Sequence, residues 1–517
     1  MRVNRRSFFG RSGILVAGVA SAPAMVRASA EITFRPGDRP RHIIHLVSDG
    51  MSQGTLSCAE HLSQLTRGRG LEWIRLQNDP NVVTGLMNVR SLNSLVTDSA
   101  ASSSAWGSGS RVVNGAINLL PDGRKLRPLY ELLGEAGWTR GLVTTTEITH
   151  ATPAGFAVNV PKRSQAELIA SQLLERRIEV LLGGGARFFV SHSRSDKRDL
   201  PGEFSQAGYQ VLYHKSGLSA APTDKPWLGL FSPGHLPFTL DHQSDSRLRA
   251  TVPTLAEMTS AALGKLEREE HFILQVEGGR VDHAAHLNDA AGAFYDQMAF
   301  DEAVAVCVAF RQKHPDTLVV VTTDHGTGNP GLNGTGTGYS RSSRVFGQLT
   351  KITHSHEWML RRIYGIPDSD TEDMLEVDPS KAGLVEPARL AEIIREGTGF
   401  AVSEKQSVKL RQFFAGEGDA LYELANSGEF QLAQLLANQT GIGWTSLAHT
   451  SDLVPVMAMG PGASRFRGFI QNVDVFRHYT QFAGVDYENP TLPLQAERLP
   501  PAPGQLRASH GAAVAVL

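Results

Sequence analysis

The chain is patterned as short, nearly continuous apolar runs separated by longer stretches in which apolar positions recur at helical spacing. Such runs, bounded by Gly, Pro and polar clusters, read as strands buried on both faces. Six stand out, at residues 42–47, 141–145, 179–182, 272–276, 318–322 and 453–459. Their alternation with helical stretches predicts an α/β fold with a largely parallel central sheet flanked by helices on both faces. Four runs lead, directly or after a short loop, into polar clusters: Asp49, residues 147–152, residues 277–286, and Asp324-His325. Ligands of open α/β sheets sit beyond the carboxyl ends of the strands, so these clusters are expected to converge on one rim.

Residues 326–448 break the alternation. They open with the Gly/Ser/Thr-rich stretch GTGNPGLNGTGTGYSRSS and continue with helical patterns near 387–395 and within 403–437. This segment reads as a helical and irregular insertion, either a lid or interface or mere surface decoration; His354 and His356 fall in it and are read as surface residues. The catalytic domain is expected to span 31–487, with a Pro/Ala-rich extended tail over 488–517. Residues 1–30 read as an export signal: Arg5-Arg6-Ser7-Phe8-Phe9, an apolar run over 13–26, then Ala28-Ser29-Ala30 as a small-x-small cleavage site. The paired arginines resemble the twin-arginine class, which predicts a periplasmic or secreted protein cleaved near Ala30. No later stretch is apolar for long enough to predict a membrane span.

Composition narrows the partners. The 517 residues are 41% hydrophobic and carry a formal net charge of −2, with basic and acidic residues interspersed. No extended positive field is present for a nucleic-acid backbone, so a small-molecule partner is expected. Cys58 and Cys307 are the only cysteines and lie in unrelated contexts, so a metal would have to use oxygen and imidazole ligands. Gly183-Gly184-Gly185 lacks the Gly-Lys-Ser/Thr ending of a phosphate loop and reads as a tight turn after a strand.

The segment Glu277-Gly-Gly-Arg-Val-Asp282-His283-Ala-Ala-His286 follows a predicted strand. In a helical turn, Asp282 and His286 share one face at i,i+4 and suit a divalent metal. An isolated pair of this kind is more often a surface contact, but Glu277, His283, Asp324, His325 and Asp49 crowd neighbouring strand ends. Together they offer ligands for more than one ion. A second segment, TDSAASSSAW, places small residues after Asp98, suiting a tightly packed helix that begins near Ser99. Its first N–H groups would face an anion at the Ser99 hydroxyl; the plainer reading makes Asp98 or Ser99 a helix cap.

In order and context, these motifs resemble the alkaline phosphatase family over nearly the whole mature length. TDSAASSSAW is similar to the family's nucleophile segment, which implies a covalent phosphoserine at Ser99. VEGGRVDHAAH and AHTS imply Asp282, His286 and His449 on a first zinc; TTDHG and DGM imply Asp324, His325 and Asp49 on a second. Asp49, Glu277 and Thr152 of HATPAG would hold a third ion, and Arg163 falls where a phosphate-binding arginine is expected. The resemblance thus implies two Zn2+ and one Mg2+. His150 and His283 stand near the third site where some bacterial members carry Asp and Lys, so Zn2+ or Co2+ is an alternative there. It also implies phosphate monoesters as substrates and a homodimer. The alternatives are a phosphodiesterase of the same superfamily and a non-catalytic metal- or phosphate-binding protein.

Overall fold

The six apolar runs form most of the centre of a ten-stranded sheet with the order β14-β2-β13-β8-β1-β7-β3-β4-β6-β5. In this computed structural model residues 39–367 and 383–495 are described; the export-signal segment 1–30 and the tail beyond 495 lie outside them. The expected strands become β1 (His42–Val47), β3 (Thr139–Glu147), β4 (Val180–Gly184), β7 (Phe272–Glu277), β8 (Thr317–Thr322) and β13 (Val454–Met459). Four more were not expected: β2 (Val82–Asn88), β5 (Gln210–Leu212), β6 (Trp227–Leu230) and β14 (Gly468–Gln471). All four lie toward the sheet edges: β2, β5 and β14 are half-buried and carry mixed residues, and β6 is buried but only four residues long. Within this sheet every ladder is parallel except those of β13, which runs against both β8 and β2. The central strands β1, β7 and β8 are buried along their whole length, as helices on both faces require.

Strand ends meet because β1 pairs with both β7 and β8 in register, Val47 opposite Glu277 and Thr322. Asp49, Glu277 and Asp324 therefore leave adjacent strands at one height. Two small ribbons close the root of the long segment that follows. β9 (Gly326–Thr327) pairs with β12 (His449–Thr450), and β10 (Gly331–Leu332) with β11 (Ile442–Gly443). The first ribbon sets His449 opposite Thr327, two residues beyond His325.

Between the ribbons, helices His356–Ile363, Pro387–Thr398, Glu404–Phe414 and Gly428–Thr440 pack on one another and join the main core through Met359, Leu360, Leu390, Leu410 and Leu432. His356 corrects its expectation: it is buried, its ring hydrogen-bonded to the Leu287 carbonyl and its backbone N–H to Asp289. The triple glycine ends β4 in a tight turn, with Gly185 at φ 90°. Both cysteines are buried and unbridged.

The first part of the tail, as far as Gln495, has neither helix nor strand and is tied to the body. Asn489 donates to the carbonyls of Ser108 and Arg127, both at 2.9 Å, and accepts from the Arg127 N–H at 2.8 Å. Ser108 is the last residue of the helix that begins at Ser99. Asn489→Ala would leave these backbone groups without partners and is expected to destabilise the fold by about 2–4 kcal/mol. A lowered melting temperature by circular dichroism checks this; an unchanged one would show that the anchor contributes nothing.

Candidate active site and metal centre

The helix Ser99–Ser108 is buried along its whole length and built from small residues, SAASSSAWGS. That composition lets it lie almost backbone to backbone against the helix Ala151–Ala157. A Cβ on Gly107 would stand 2.0 Å from the Gly155 carbonyl oxygen, and one on Gly155 would stand 2.3 Å from Ser103 Oγ. Ser103 Oγ donates to the Thr152 carbonyl at 2.6 Å, and Ser102 Oγ to the Asp324 carbonyl at 2.9 Å. The packing thus locks the Ser99 helix to the segments that carry Thr152 and Asp324.

Asp98 is the N-cap, accepting from the Ala101 N–H at 2.9 Å. Its second oxygen accepts from the Gly115 N–H at 2.9 Å and pairs with Arg163 Nη1 at 3.3 Å. The plain cap reading is what the structure shows, and the same carboxylate both starts the helix and pairs with the guanidinium. Arg163 is further fixed by its own N–H, which donates to the Gly115 carbonyl at 2.7 Å, and its Nη2 lies 3.0 Å from His150 Nε2.

Every candidate residue named from the sequence lies in this region. Asp282 and His286 share one face of the helix Arg280–His286, with Nε2 3.3 Å from Asp282 Oδ2. His286 Nδ1 lies 2.5 Å from the Leu447 carbonyl and His449 Nδ1 2.8 Å from that of Thr97. A carbonyl can only accept, so both rings carry their proton on Nδ1. Their Nε2 atoms, each with its lone pair exposed, then face one another at 2.9 Å. Two lone pairs at that distance repel unless a cation or proton lies between them, and carbonyl-oriented imidazoles of this kind are how metal-ligating histidines are held.

Asp282, His325 and His449 offer donor atoms within 4.8 Å of one another, as do Asp49, Asp324 and His325, and Asp49, His150 and Glu277. Four carboxylates, Asp49, Glu277, Asp282 and Asp324, are thereby buried together. Asp49 Oδ1, Asp324 Oδ2 and Glu277 Oε1 are buried without a hydrogen bond and have only imidazoles facing them, His325 Nε2 at 3.5 and 3.2 Å and His150 Nδ1 at 3.6 Å. Buried, unsatisfied anions are costly without counter-charge, so the donor set fits divalent cations. Glu277 keeps its other oxygen on Thr144 at 2.5 Å and Thr146 at 3.2 Å, while Thr152 Oγ1 donates to Asp49 Oδ2 at 3.1 Å.

The electrostatics agree. Burial, then the carboxylates of Asp324, Asp282 and Glu277, push the Asp49 carboxyl well above the usual range. Burial also works to raise Asp282, but the adjacent His286 ring, where protonated, holds it well below. Burial and the neighbouring His325 keep His449 well below the ordinary imidazole range, which favours the neutral ring.

Ser99 Oγ lies 3.2 Å from His325 Nε2, and the His325 ring stacks on that of His449 with centroids 3.6 Å apart. His449, Asp282, His286 and Arg163 line a cleft of about 470 Å³, whose other walls include Glu147, Arg187, Phe188 and His235. Gly50 permits the closeness of the ligand strands. It sits at φ +67°, and a Cβ there would meet Asp282 Oδ1 at 2.3 Å.

Sequence reasoning missed several contributors. Thr327 donates to Asp282 Oδ1 at 2.5 Å, and Thr144 and Thr146 hold Glu277; each sits in or beside a motif strand, but a threonine there has no distinguishing pattern. His235 lies in the cleft wall from a loop with no local signal. Arg280 stands inside the EGGRVDH motif, and its burial to 2% exposure is visible only in the fold.

A serine at a helix N-terminus beside clustered carboxylates and imidazoles, on the carboxyl rim of a mostly parallel sheet, is the framework of a metal-dependent hydrolase. The alkaline phosphatase family profile spans residues 40–485. Alkaline phosphatase 4 of Bacillus subtilis is 31% identical over 477 residues, covering 89% of this chain and 93% of its own. A streptomycin-6-phosphate phosphatase of Streptomyces griseus is 34% identical over 361 residues, 61% of this chain and 80% of its own. The crystal structure of Thermus thermophilus alkaline phosphatase superposes with a TM-score of 0.80 at 34% identity, covering 89% of this chain and 94% of that one. The chain belongs to the alkaline phosphatase family and is a phosphoric monoester hydrolase.

Because the buried carboxylates need counter-charge, chelation is expected to lower the melting temperature and added zinc to restore it. His449→Ala is expected to reduce bound metal by about one ion per chain, read by mass spectrometry of the elements. Full metal content in that variant would remove His449 from the ligand set.

Proposed function

We propose that this phosphatase acts through a covalent phosphoserine at Ser99, with two zinc ions and a third divalent ion beside it. The observation that carries this reading is the position of Ser99: its hydroxyl is buried at the start of its helix, 3.2 Å from His325 Nε2, where the donor groups meet. Asp282, His286 and His449 would hold the first zinc, and Asp49, Asp324 and His325 the second. Asp49, Glu277 and Thr152, with His150 adjacent, would hold the third ion, Mg2+ or, given the imidazole, Zn2+ or Co2+. When bound, these ions supply Lewis acidity that makes a serine oxygen nucleophilic and neutralises a departing alkoxide.

The chain's own groups do the rest. Arg163, aimed by Asp98, presents a planar fork to two oxygens of the phosphoryl group. The first N–H groups of the Ser99 helix add positive potential where charge remains on those oxygens through the transition state. The Ser99 oxygen bonds to phosphorus as the bond to the ester oxygen breaks. The serine proton goes to solvent and the departing alcohol takes one up. Water then cleaves the phosphoserine, releasing inorganic phosphate and restoring the hydroxyl. A guanidinium held by Asp98, the residue before the nucleophile, favours the dianion of a monoester over a diester.

Export by a twin-arginine leader cleaved near Ala30, and assembly as a homodimer, belong to the same reading. Among the described residues no helix is long and apolar enough to cross a membrane.

The test compares a chromogenic phosphate monoester with its diester counterpart, using wild type and Ser99→Ala with metals present and then chelated. Strong monoester turnover that both Ser99→Ala and chelation reduce by at least about a thousand-fold is expected, with a phosphorylated Ser99 peptide after acid quenching. Diester preference would move the reading to a phosphodiesterase, and turnover untouched by Ser99→Ala would end the phosphoserine mechanism. Phosphate binding with no turnover of either ester would leave a binding protein.

A further inference from the structure

The triple glycine after β4 builds one wall of the cleft, a wall that the phosphoryl transfer itself does not use. Register sets Gly184 opposite Glu147, the last residue of β3. The backbones there approach too closely for side chains. A Cβ on Gly184 would stand 2.1 Å from the Gly234 carbonyl oxygen, and one on Gly185, at φ +90°, 2.9 Å from the Glu147 Cβ. The turn Ala186–Phe188 that follows is fastened to the loop 232–234. The N–H groups of Gly185, Ala186 and Arg187 donate to the carbonyls of Gly234, Ser232 and Pro233 at 2.8, 3.0 and 3.1 Å.

That turn sets Arg187 and Phe188 on the cleft wall beside Glu147. Arg187 Nη2 lies 2.8 Å from Glu147 Oε1, and the guanidinium carbon stands 4.7 Å from the centre of the Phe188 ring. The Arg187 side chain is 20% exposed and that of Glu147 9%, so the carboxylate is the more deeply seated of the two. The Glu147 N–H donates to His235 Nδ1 at 3.1 Å, which ties this wall to the rest of the cleft. In the sheet, β3 and β4 lie on the side of β7 away from β1 and β8, so the wall stands beyond the strand ends that carry Asp49 and Asp324. A cleft of about 470 Å³ has the size that holds a whole small molecule, well beyond a phosphoryl group alone.

We propose that Arg187 and Phe188 form a subsite for the alcohol part of the substrate, and that this part is a polyhydroxylated ring, as in a sugar phosphate. The proposal rests on the phosphatase reading of the cleft. Arg187 donates to ring hydroxyls, Phe188 packs against the C–H face of the ring, and Glu147 is a positioning residue that holds the guanidinium in place. Paired charges suit a neutral polar ligand, because an anion at Arg187 would face the Glu147 carboxylate as well. Backbone hydrogen bonds hold the turn before any substrate arrives, so little freedom is lost on binding.

The experiment measures kcat and KM on the metal-loaded enzyme for two esters: glucose phosphorylated at its primary hydroxyl, and cyclohexylmethyl phosphate, which has a ring of the same size but no hydroxyls. Wild type is expected to favour the glucose ester in kcat/KM. Arg187→Leu is expected to lower that preference about ten-fold, the size of one hydrogen bond to a charged group, through the KM of the glucose ester. Phe188→Leu and Glu147→Gln are expected to lower it by smaller factors. The double variant of Glu147→Gln and Arg187→Leu should fall no further than Arg187→Leu, because Glu147 acts through Arg187. The inhibition constant of inorganic phosphate, which has no alcohol part, reports on the phosphoryl end of the cleft in each variant. A wild type without the preference, or a preference that Arg187→Leu and Phe188→Leu leave in place, would overturn the subsite. So would a loss of phosphate inhibition in Arg187→Leu as large as the loss for the glucose ester. Additive effects in the double variant would overturn the positioning role. A doubly phosphorylated glucose preferred over the singly phosphorylated one, with that preference lost in Arg187→Leu, would overturn the neutral ligand. Should Arg187→Leu fail to fold, Phe188→Leu decides. Absence of monoester turnover in the wild type would fail the phosphatase reading itself, whereas turnover with an unmoved preference fails the subsite alone.

Discussion

Four carboxylates brought together out of water set the terms for everything around them. Asp49, Glu277, Asp282 and Asp324 repel one another in a poorly screened interior, and a protein-only environment has few ways to hold them. Their neighbours are arranged accordingly. Thr144, Thr146, Thr152 and Thr327 each donate to a carboxylate oxygen, and the imidazoles of His286 and His325 stand against the carboxylates at 3.3 Å and 3.2 Å. Backbone carbonyls turn His286 and His449 so that their lone pairs face the same space. Divalent cations would resolve that conflict, and in the proposed mechanism the same cations would make the Ser99 hydroxyl nucleophilic.

The sheet makes such crowding possible. β1, β7 and β8 lie side by side in register, so three strand ends deliver carboxylates at one level. β13 departs from this direction, and the short ribbon just before it brings His449 across to the residues after β8. On the opposite side, the Ser99 helix meets the Thr152 helix through glycine and serine contacts too close for larger side chains. Precision at Ser99 comes from this dense packing of small residues, which has little room to shift.

Much of this was legible along the chain. The fully buried central strands advertised themselves as apolar runs, and the polar residues at their ends were marked by position as much as by type. Asp282 and His286 were readable from their helical spacing, and Ser99 from the small residues that follow it. β2, β5 and β14 were not legible because half-buried strands carry mixed residues, and β6, though buried and apolar, is only four residues long. His356 was misread because a histidine in an irregular segment resembles a surface residue until a helix cap turns it inward.

The amino-acid sequence by itself determined the fold class, the family and the residues able to carry the chemistry, because strand burial, helical spacing and local motifs act over a few residues. Only the tertiary structure decided how those residues combine. Which lone pairs face each other and which carboxylate steers Arg163 depend on partners far along the chain or on side-chain direction. The long segment 326–448 has no motif to announce how it attaches; Glu357 meets Arg280, 77 residues earlier, only when the elements pack. Such contacts follow from the geometry of packed elements, which no local pattern encodes.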